Sequence, residues 1–581
     1  MKRWFKYVKP YLKSFILGPV GMIVEVIGEM FMPILLAEII NSGDAGTLTV
    51  GSSIGISAIL IGIVLLMMGG GVCGAYFGAK ASVNFAADLR RDVYAKVQKY
   101  SFANIDKFSA SSLVTRMTND VTQMQNFVNM LLRMALRSPG MLIGGIIMAV
   151  MLKPSLSVVL AVTMPLMLAV IFTLIRIGFP RFSIMQKKID KLNSTVRENV
   201  TNVRVVKSFV REDFEIDKFE QDNADLKNSG MRAVKVMIYM GPVMNLFMYA
   251  TVIAVIWFGH GIVLDEVGLV GGMKVGDLSA FITYTTQILS SLMMVTMLLM
   301  MSSRAMASAR RICEVLDEKI DIDDVSADSE KKISSGEIEF KNVSFRYYKH
   351  SEEGVLENIN LKIKAGSTVG IIGSTGCGKT TLISMIPRLY DVDEGEVLID
   401  GVNVKDYSLV NLRDGIGMVL QKNLLFSGSI AYNLRWGNEN ATDEEMITAA
   451  QHSAADKFVS TFGDGYDTLL DKGGMNLSGG QKQRLCIARA LIKKPKILIL
   501  DDSTSAVDTA TEAQIRAAFA SDLPDCTKII IAQRISSVKD ADEIIVMNDG
   551  KITGIGTHEQ LLESNAEYGE IYYSQMDKKE A

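Results

Sequence analysis

Six apolar runs, each long enough to cross a lipid bilayer, fill the first half of this 581-residue chain, and no water-soluble fold buries that much uninterrupted hydrocarbon. A helix needs about 20 apolar residues to span the hydrocarbon core. The runs at roughly 14–40, 54–79, 136–152, 155–178, 238–263 and 276–301 approach or exceed that length. The third and fourth are parted only by "LKPS", which predicts a tight hairpin. The stretch "EKIDIDDVSADSEKKISSG" at 318–336 is polar and acidic, with no periodic apolar face, and reads as a linker. Beyond it, charged and apolar residues alternate as in a soluble fold. The predicted architecture is an all-α, six-helix membrane domain over 1–318, a linker over 319–335 and an α/β phosphate-loop domain over 336–581.

Lys and Arg crowd the N-terminus and the long connections around 80–135 and 176–237, whereas the short connections near 41–53 and 264–275 hold only Lys274. The positive-inside tendency then puts both termini and the long connections in the cytoplasm of a bacterial-type plasma membrane. The first apolar stretch is too long for a cleavable leader and is expected to stay in the bilayer. The N-terminal "KRWFKYVKPYLKSF" has the alternation expected of a helix lying among lipid headgroups. A net charge of −3 leaves no concentrated basic surface for nucleic acid. Five scattered cysteines without CxxC spacing suggest neither a zinc site nor a disulfide framework.

Helical periodicity runs on from the apolar spans into both long connections, which at 1.5 Å per residue reach about 35–40 Å beyond the lipid. Each has a polar turning point, "SFANIDKFSAS" (101–111) and "FVREDFEIDKF" (209–219), predicted to hold a short transverse helix that docks on a cytosolic domain. Within the first span, Glu25 and Glu29 lie one helical turn apart and face the same way. Carboxylates there are costly unless they meet water or a partner, so they either line a cavity for cationic or amphipathic cargo or bond to another helix or gate. Two methionine rows, Met237 to Met248 and Met293 to Met301, offer pliable apolar surface or ordinary lipid-facing filler.

In the soluble half, "TVGIIGSTGCGKTTLI" (368–383) is an apolar strand followed by Gly373, Ser374, Thr375, Gly376, Cys377, Gly378, Lys379, Thr380 and Thr381, then a helical run. Glycines let backbone amides wrap phosphate oxygens, Lys379 neutralises the β and γ phosphates, and the Thr380 hydroxyl suits magnesium. Asp501 ends a second apolar strand, where a carboxylate at the C-terminal edge of a parallel sheet holds Mg2+. ATP and Mg2+ are therefore the expected cofactors. Between the two, "LSGGQ" opens a helix at Ser478, Gly479, Gly480 and Gln481, a second phosphate-facing start. Because the first loop already holds its own nucleotide, this second one predicts a head-to-tail dimer.

With these motifs in hand, the chain resembles an ATP-binding cassette exporter half-transporter over essentially its whole length. The resemblance implies further roles: Tyr347 of "VSFRYY" (or its neighbour Tyr348) to stack on adenine, Gln421 of "MVLQKNLLFSGSI" as the glutamine loop and a metal ligand, and Asp508 of "SAVD" as a dimer contact. It also matches the two transverse helices to the family's coupling helices.

Two positions depart from that pattern. The family's water-polarising glutamate falls on Asp502, and its switch histidine falls on Gln533. The shorter acid retracts its carboxylate by about 1.5 Å, and a misplacement of about 1 Å already costs on the order of 100-fold in rate. Gln533 donates a hydrogen bond but cannot carry the imidazolium's charge. The expected result is a site that binds ATP and turns it over slowly, beside an intact signature that serves a non-identical second half-transporter carrying the Glu and the His; the alternative is a working homodimer in which Asp502 serves as a slower base. Such an exporter moves small amphipathic, drug-like compounds; lipid or peptide export, import by an exporter-like fold and a purely regulatory ATP-binding subunit are the alternatives.

Overall fold

The computed structural model describes residues 2–263, 272–324, 328–347, 354–502 and 509–576. It divides into two compact units, the first made of Met1–Val97 and Ser111–Asp317, the second of Gln98–Ala110 and Glu318–Ala581. The division falls between Asp317 and Glu318, and the segment Gln98–Ala110, which lies within the stretch 1–318, groups with the second unit.

The first unit contains, among the described residues, six helical segments long and apolar enough to cross a membrane: Arg3–Asp44, Val50–Val97, Ala110–Leu152, Pro154–Thr201, Glu212–Val263 and Val275–Asp317. Each carries one of the six apolar runs. The first two touch through glycine: a Cβ on Gly21 would lie 2.6 Å from the Gly70 carbonyl oxygen, and one on Gly70 would lie 2.7 Å from that of Gly21. Small residues let backbones meet in lipid, where packing replaces the hydrophobic effect as the cause of association. The core of the unit gathers Met141, Ala149, Leu156, Val255, Phe281 and Tyr284, with the Tyr284 hydroxyl donating to the Met30 carbonyl. Asn41 ties the first segment to the sixth, donating to Asp277 at 3.0 Å and accepting from the Gly276 amide at 2.8 Å.

The N-terminal helix Lys2–Val8 is held against the second segment: Tyr7 donates to Asp92 and Tyr11 to Asp88, both at 3.0 Å, and the Tyr7 and Phe85 rings meet edge-on. Its Tyr7 is buried while Phe5 stays exposed. In the methionine rows, Met244 is buried with Met240 and Met248 packed beside it, whereas Met237, Met293 and Met297 are exposed.

The two turning points resolve differently. The first holds a helix at Phe102–Phe108, started by a capping box in which the Ser101 hydroxyl accepts from the Asn104 amide at 3.2 Å and the Asn104 side chain accepts from the Ser101 amide. The second short helix is Val203–Ser208, not 209–219. Residues from Glu212 onward already belong to the next long helix, because Glu212, Asp213 and Glu215 supply the acids that favour a helix N-terminus.

The second unit is an α/β domain with two principal sheets. Strands β1 (Ile338–Phe345), β2 (Leu356–Ile363), β4 (Glu394–Ile399) and β5 (Val402–Asn403) form an antiparallel sheet in the order β2-β1-β4-β5. Strands β3 (Thr368–Gly373), β6 (Ile416–Val419), β9 (Ile497–Asp501), β10 (Thr527–Ile531), β11 (Glu543–Asn548) and β12 (Lys551–Gly556) form the other, in the order β12-β11-β3-β10-β9-β6. All its pairs are parallel except β11 with β12. Its central strands are buried on both faces and mostly apolar, as β9 and β10, buried at every position, illustrate. In register, Ile531 lies opposite both Ile371 and Asp501, so the C-terminal ends of β3, β10 and β9 come together. A small third sheet pairs β7 (Gly428–Ser429) with β8 (Leu469–Leu470).

The linker is pinned to this unit. The Asp400 carboxylate accepts hydrogen bonds from the Ser334, Ser335, Gly336 and Glu337 amides and from both serine hydroxyls, at 2.6 to 3.0 Å. Burial alone would raise its pKa, but the Ser335 hydroxyl and the surrounding amides outweigh burial and hold it at about 2. Because the folded value is depressed, the stabilisation is complete above the unfolded pKa of about 3.9 and is lost as pH falls from there towards 2. Asp400→Asn, which keeps a residue tolerant of the left-handed backbone at φ 52°, is expected to destabilise the protein by about 1 kcal/mol at neutral pH, the full linkage value being reduced by solvent screening of this partly exposed group. The difference from the parent should shrink below about pH 4, as read by thermal unfolding in detergent.

Candidate functional site

The sheet register delivers the site. β3 ends at Gly373 and turns into the phosphate loop, which leads to the helix Lys379–Met385. The loop needs its glycines: Gly378 adopts φ 98° as the helix N-cap, and a Cβ there would lie 2.9 Å from the Val355 carbonyl oxygen. At Gly373 a Cβ would meet the Met547 carbonyl oxygen at 2.1 Å and the Cys377 sulfur at 2.9 Å. Cys377 is thus a buried filler beneath the loop. Lys379 arches back over the loop, its Nζ donating to the Gly373 and Ser374 carbonyls at 2.9 and 2.6 Å.

Asp501, at the end of β9, is buried and accepts from the Thr380 hydroxyl at 3.1 to 3.2 Å. A hydroxyl and a carboxylate side by side are hard oxygen donors of the kind magnesium takes in small number, keeping water and phosphate as its other ligands. The residues therefore fit a Mg2+–ATP complex: Thr380 and Asp501 on the cation, with Gln421 the third expected ligand, and the loop amides and Lys379 on the phosphates. Burial pushes the Asp501 carboxyl up; the Thr380 bond opposes this and the Asp502 charge adds to it.

Asp502 follows in the left-handed region, φ 49°, its amide bonded to the Ile531 carbonyl at 3.0 Å. Burial raises its pKa too, opposed by hydrogen bonds from the Gln421 and Gln533 side chains. The Gln533 bond is 2.6 Å from Nε2 to the carboxylate. Asp502 thus links Gln421 and Gln533, and both amides bond to the acid that would have to accept the attacking water's proton.

Tyr347, two residues past β1, bonds through its hydroxyl to Thr381 on the phosphate-loop helix at 3.0 Å and is 42% exposed as a residue. Tyr348 and Asp508 lie outside the described residues. The signature stands apart from these contacts. Ser478 caps the helix Gly479–Ile492 in a box with Gln481, the Gln481 side-chain Oε1 accepting from the Ser478 backbone amide at 2.8 Å and the Ser478 hydroxyl from the Gln481 backbone amide at 3.3 Å. Both side chains are spent on the cap, which leaves the amides of Gly479 and Gly480 at an open helix start.

In the membrane half, Arg137 joins both acids of the first span, at 2.7 Å from Glu29 and 3.2 Å from Glu25. Each glutamate keeps one buried oxygen without a hydrogen bond. This favours the interhelical bond over an open acidic cavity. Arg137 had escaped the sequence reading because it sits at the edge of the third apolar run and looks like a flanking cation. Tyr390 was missed as well; its hydroxyl donates to Asp106 of the helix Phe102–Phe108 at 2.9 Å.

Comparison with known proteins places these features. The model of the ABC transporter transmembrane region matches residues 15–292, and that of the ABC transporter ATP-binding domain matches 356–505. YfiB of Bacillus subtilis, an uncharacterized ABC transporter ATP-binding protein, is 37% identical over 100% of this chain and 99% of its own. Rv1273c of Mycobacterium tuberculosis, of the same description, is 37% identical over 98% of this chain and 97% of its own. A solved bacterial Atm1-family ABC exporter with ATP bound shares the fold, with a TM-score of 0.77 at 24% identity over 97% of this chain and 98% of that one.

Proposed function

This chain belongs to the ABC transporter family, as a half-transporter with one six-helix membrane region and one ATP-binding cassette, and from that premise we propose that it is the slow-site subunit of a heterodimeric exporter. The observation that carries the proposal is the tether on Asp502, whose carboxylate is bonded by Gln533 at 2.6 Å and by Gln421. A general base must reach the proton it abstracts. This one is a methylene short and already engaged.

ATP would lie with its adenine on Tyr347 and its phosphates on the loop amides and Lys379; Mg2+, when bound by Thr380, Asp501 and Gln421, supplies charge neutralisation at the phosphates. The chain's own residues then bind and orient the nucleotide without rapidly activating water. Asp508 and the Ser478-to-Gln481 helix start serve the dimer contact and the partner's nucleotide. The partner carries a glutamate and a histidine at the positions of Asp502 and Gln533. Binding of ATP clamps the two cassettes, the helices at 102–108 and 203–208 pass that movement to the spans, and a cavity between the two halves turns from cytoplasm to exterior. Cargo is a small amphipathic, drug-like compound, the membrane is a bacterial plasma membrane, and both termini are cytoplasmic.

The test is purification from the native membrane. A second, sequence-related polypeptide is expected in equal amount, and the pair should bind and hydrolyse ATP, whereas Lys379→Ala in this chain removes binding at its own site by at least 100-fold. Isolation of this chain alone as a dimer with brisk turnover would overturn the reading.

A further inference from the structure

The helix Phe102–Phe108 belongs to the same compact unit as the cassette, and an unbroken line of aromatic contacts leads from it to the nucleotide site. Phe102 packs on Tyr390 with ring centroids 6.0 Å apart, and the Tyr390 hydroxyl donates to Asp106 at 2.9 Å. The other side of Tyr390 meets Tyr347 almost perpendicularly, at 5.2 Å and 87°. Phe345 stands edge-on to Tyr347 at 5.0 Å and tilted against Tyr390 at 5.6 Å, closing the cluster. Tyr347 itself is anchored to the phosphate-loop helix through Thr381.

We propose that Tyr390 is a positioning residue that reports the nucleotide's base to the 102–108 helix, separately from the movement produced by the phosphates. The inference rests on Tyr347 being the adenine platform, as set out above. A base stacked on the exposed face of Tyr347 fixes that ring. Its edge-to-face partner Tyr390 is then fixed in turn, because a perpendicular pair loses its favourable quadrupole contact if either ring swings. A fixed Tyr390 holds Asp106 by its hydroxyl and Phe102 by its ring, so the helix is gripped more firmly. Residues 98–110 join the helices Val50–Val97 and Ala110–Leu152 directly along the chain, so a firmer grip bears on both. Since the signal originates at the base, ADP should send it as well as ATP does.

Amide hydrogen exchange over residues 102–108 of the full chain in lipid nanodiscs tests this, with occupancy set by displacement of a fluorescent ATP analogue. Saturating ATP and saturating ADP are each expected to slow exchange three- to tenfold, and saturating inorganic tripolyphosphate, which carries no base, to leave it unchanged. Tyr390→Ala should abolish the protection while ATP displacement shifts less than threefold. Tyr390→Phe, which keeps the ring and loses the bond to Asp106, should retain part of it. Asp106→Ala, which removes the acceptor and leaves the cassette sequence untouched, should match Tyr390→Phe, with no further loss in the double variant, so a poorly folded Tyr390→Ala does not decide the matter. Protection by tripolyphosphate equal to that by ADP, or full protection in Tyr390→Ala or in Asp106→Ala, overturns the relay. Failure of the parent to bind ATP removes the adenine role of Tyr347 and the relay together, whereas binding with unchanged exchange overturns the relay alone.

Discussion

Replacing Asp502 by Glu and Gln533 by His together is expected to raise ATP turnover by preparations containing only this chain by about 100-fold. The added methylene carries the carboxylate past the point where the Gln421 and Gln533 side chains now hold it, and the imidazole supplies the charge that an amide lacks. Among the described residues the rest of the site is in place: the loop is formed, Lys379 lies over it, and the Thr380 hydroxyl meets Asp501 at 3.1 to 3.2 Å. Asp502→Glu alone should recover most of the gain and Gln533→His alone little, because the histidine without the longer acid still has no correctly placed base to assist. Phosphate release at high protein density in proteoliposomes measures the effect. A doubly substituted chain that hydrolyses no faster than the parent, with ATP binding unchanged, would mean that the slow step lies outside these two side chains.

Arg137→Leu should be the most damaging single change in the membrane half. It leaves Glu25 and Glu29, 2.7 to 3.2 Å from the guanidinium in the parent, with no cation between them. Removing one member of a fully buried ionic group typically costs about 3–5 kcal/mol; this group is partly buried, with side chains 17% to 28% exposed, so a cost of about 2–3 kcal/mol is expected, still a large share of the stability of any fold. The folded yield is expected to fall sharply, read as loss of the monodisperse peak on size exclusion in mild detergent. A single guanidinium nitrogen meets both acids, so Arg137→Lys, which keeps one charged nitrogen on a differently shaped side chain, should be intermediate. Adding Glu25→Gln and Glu29→Gln to Arg137→Leu should restore most of the folded protein, since the uncompensated charge is then gone. An Arg137→Leu variant as stable as the parent would show that water or lipid headgroups, rather than the arginine, satisfy the two acids.

Local physics made much of this molecule readable in advance. Run length and hydropathy locate six spans, and a strand running into Gly373-x4-Gly378-Lys379-Thr380 fixes the phosphate loop without any knowledge of its surroundings. The second short helix was placed late because "REDFEIDKF" was read as a polar turn, although its acids are the signal for a helix beginning at Glu212. Contacts across the chain were out of reach for a different reason. Arg137 lies 108 residues from Glu29, and Tyr390 lies 284 from Asp106. Neither pair has any local pattern, so only the folded arrangement reveals that one neutralises buried charge and the other anchors a docking helix. The same holds for Asp502 and Gln533: their identities were evident as departures, but their bond to each other was not.

The glycine crossing between the first two spans has a mechanical consequence. Main chain lies against main chain at Gly21 and Gly70, and the side chains of Met67 and Met22 sit in the notches left by Gly28 and Gly74. Rolling or sliding one helix along the other would have to lift those side chains out of their notches, so the two spans are expected to travel together as one stiff beam.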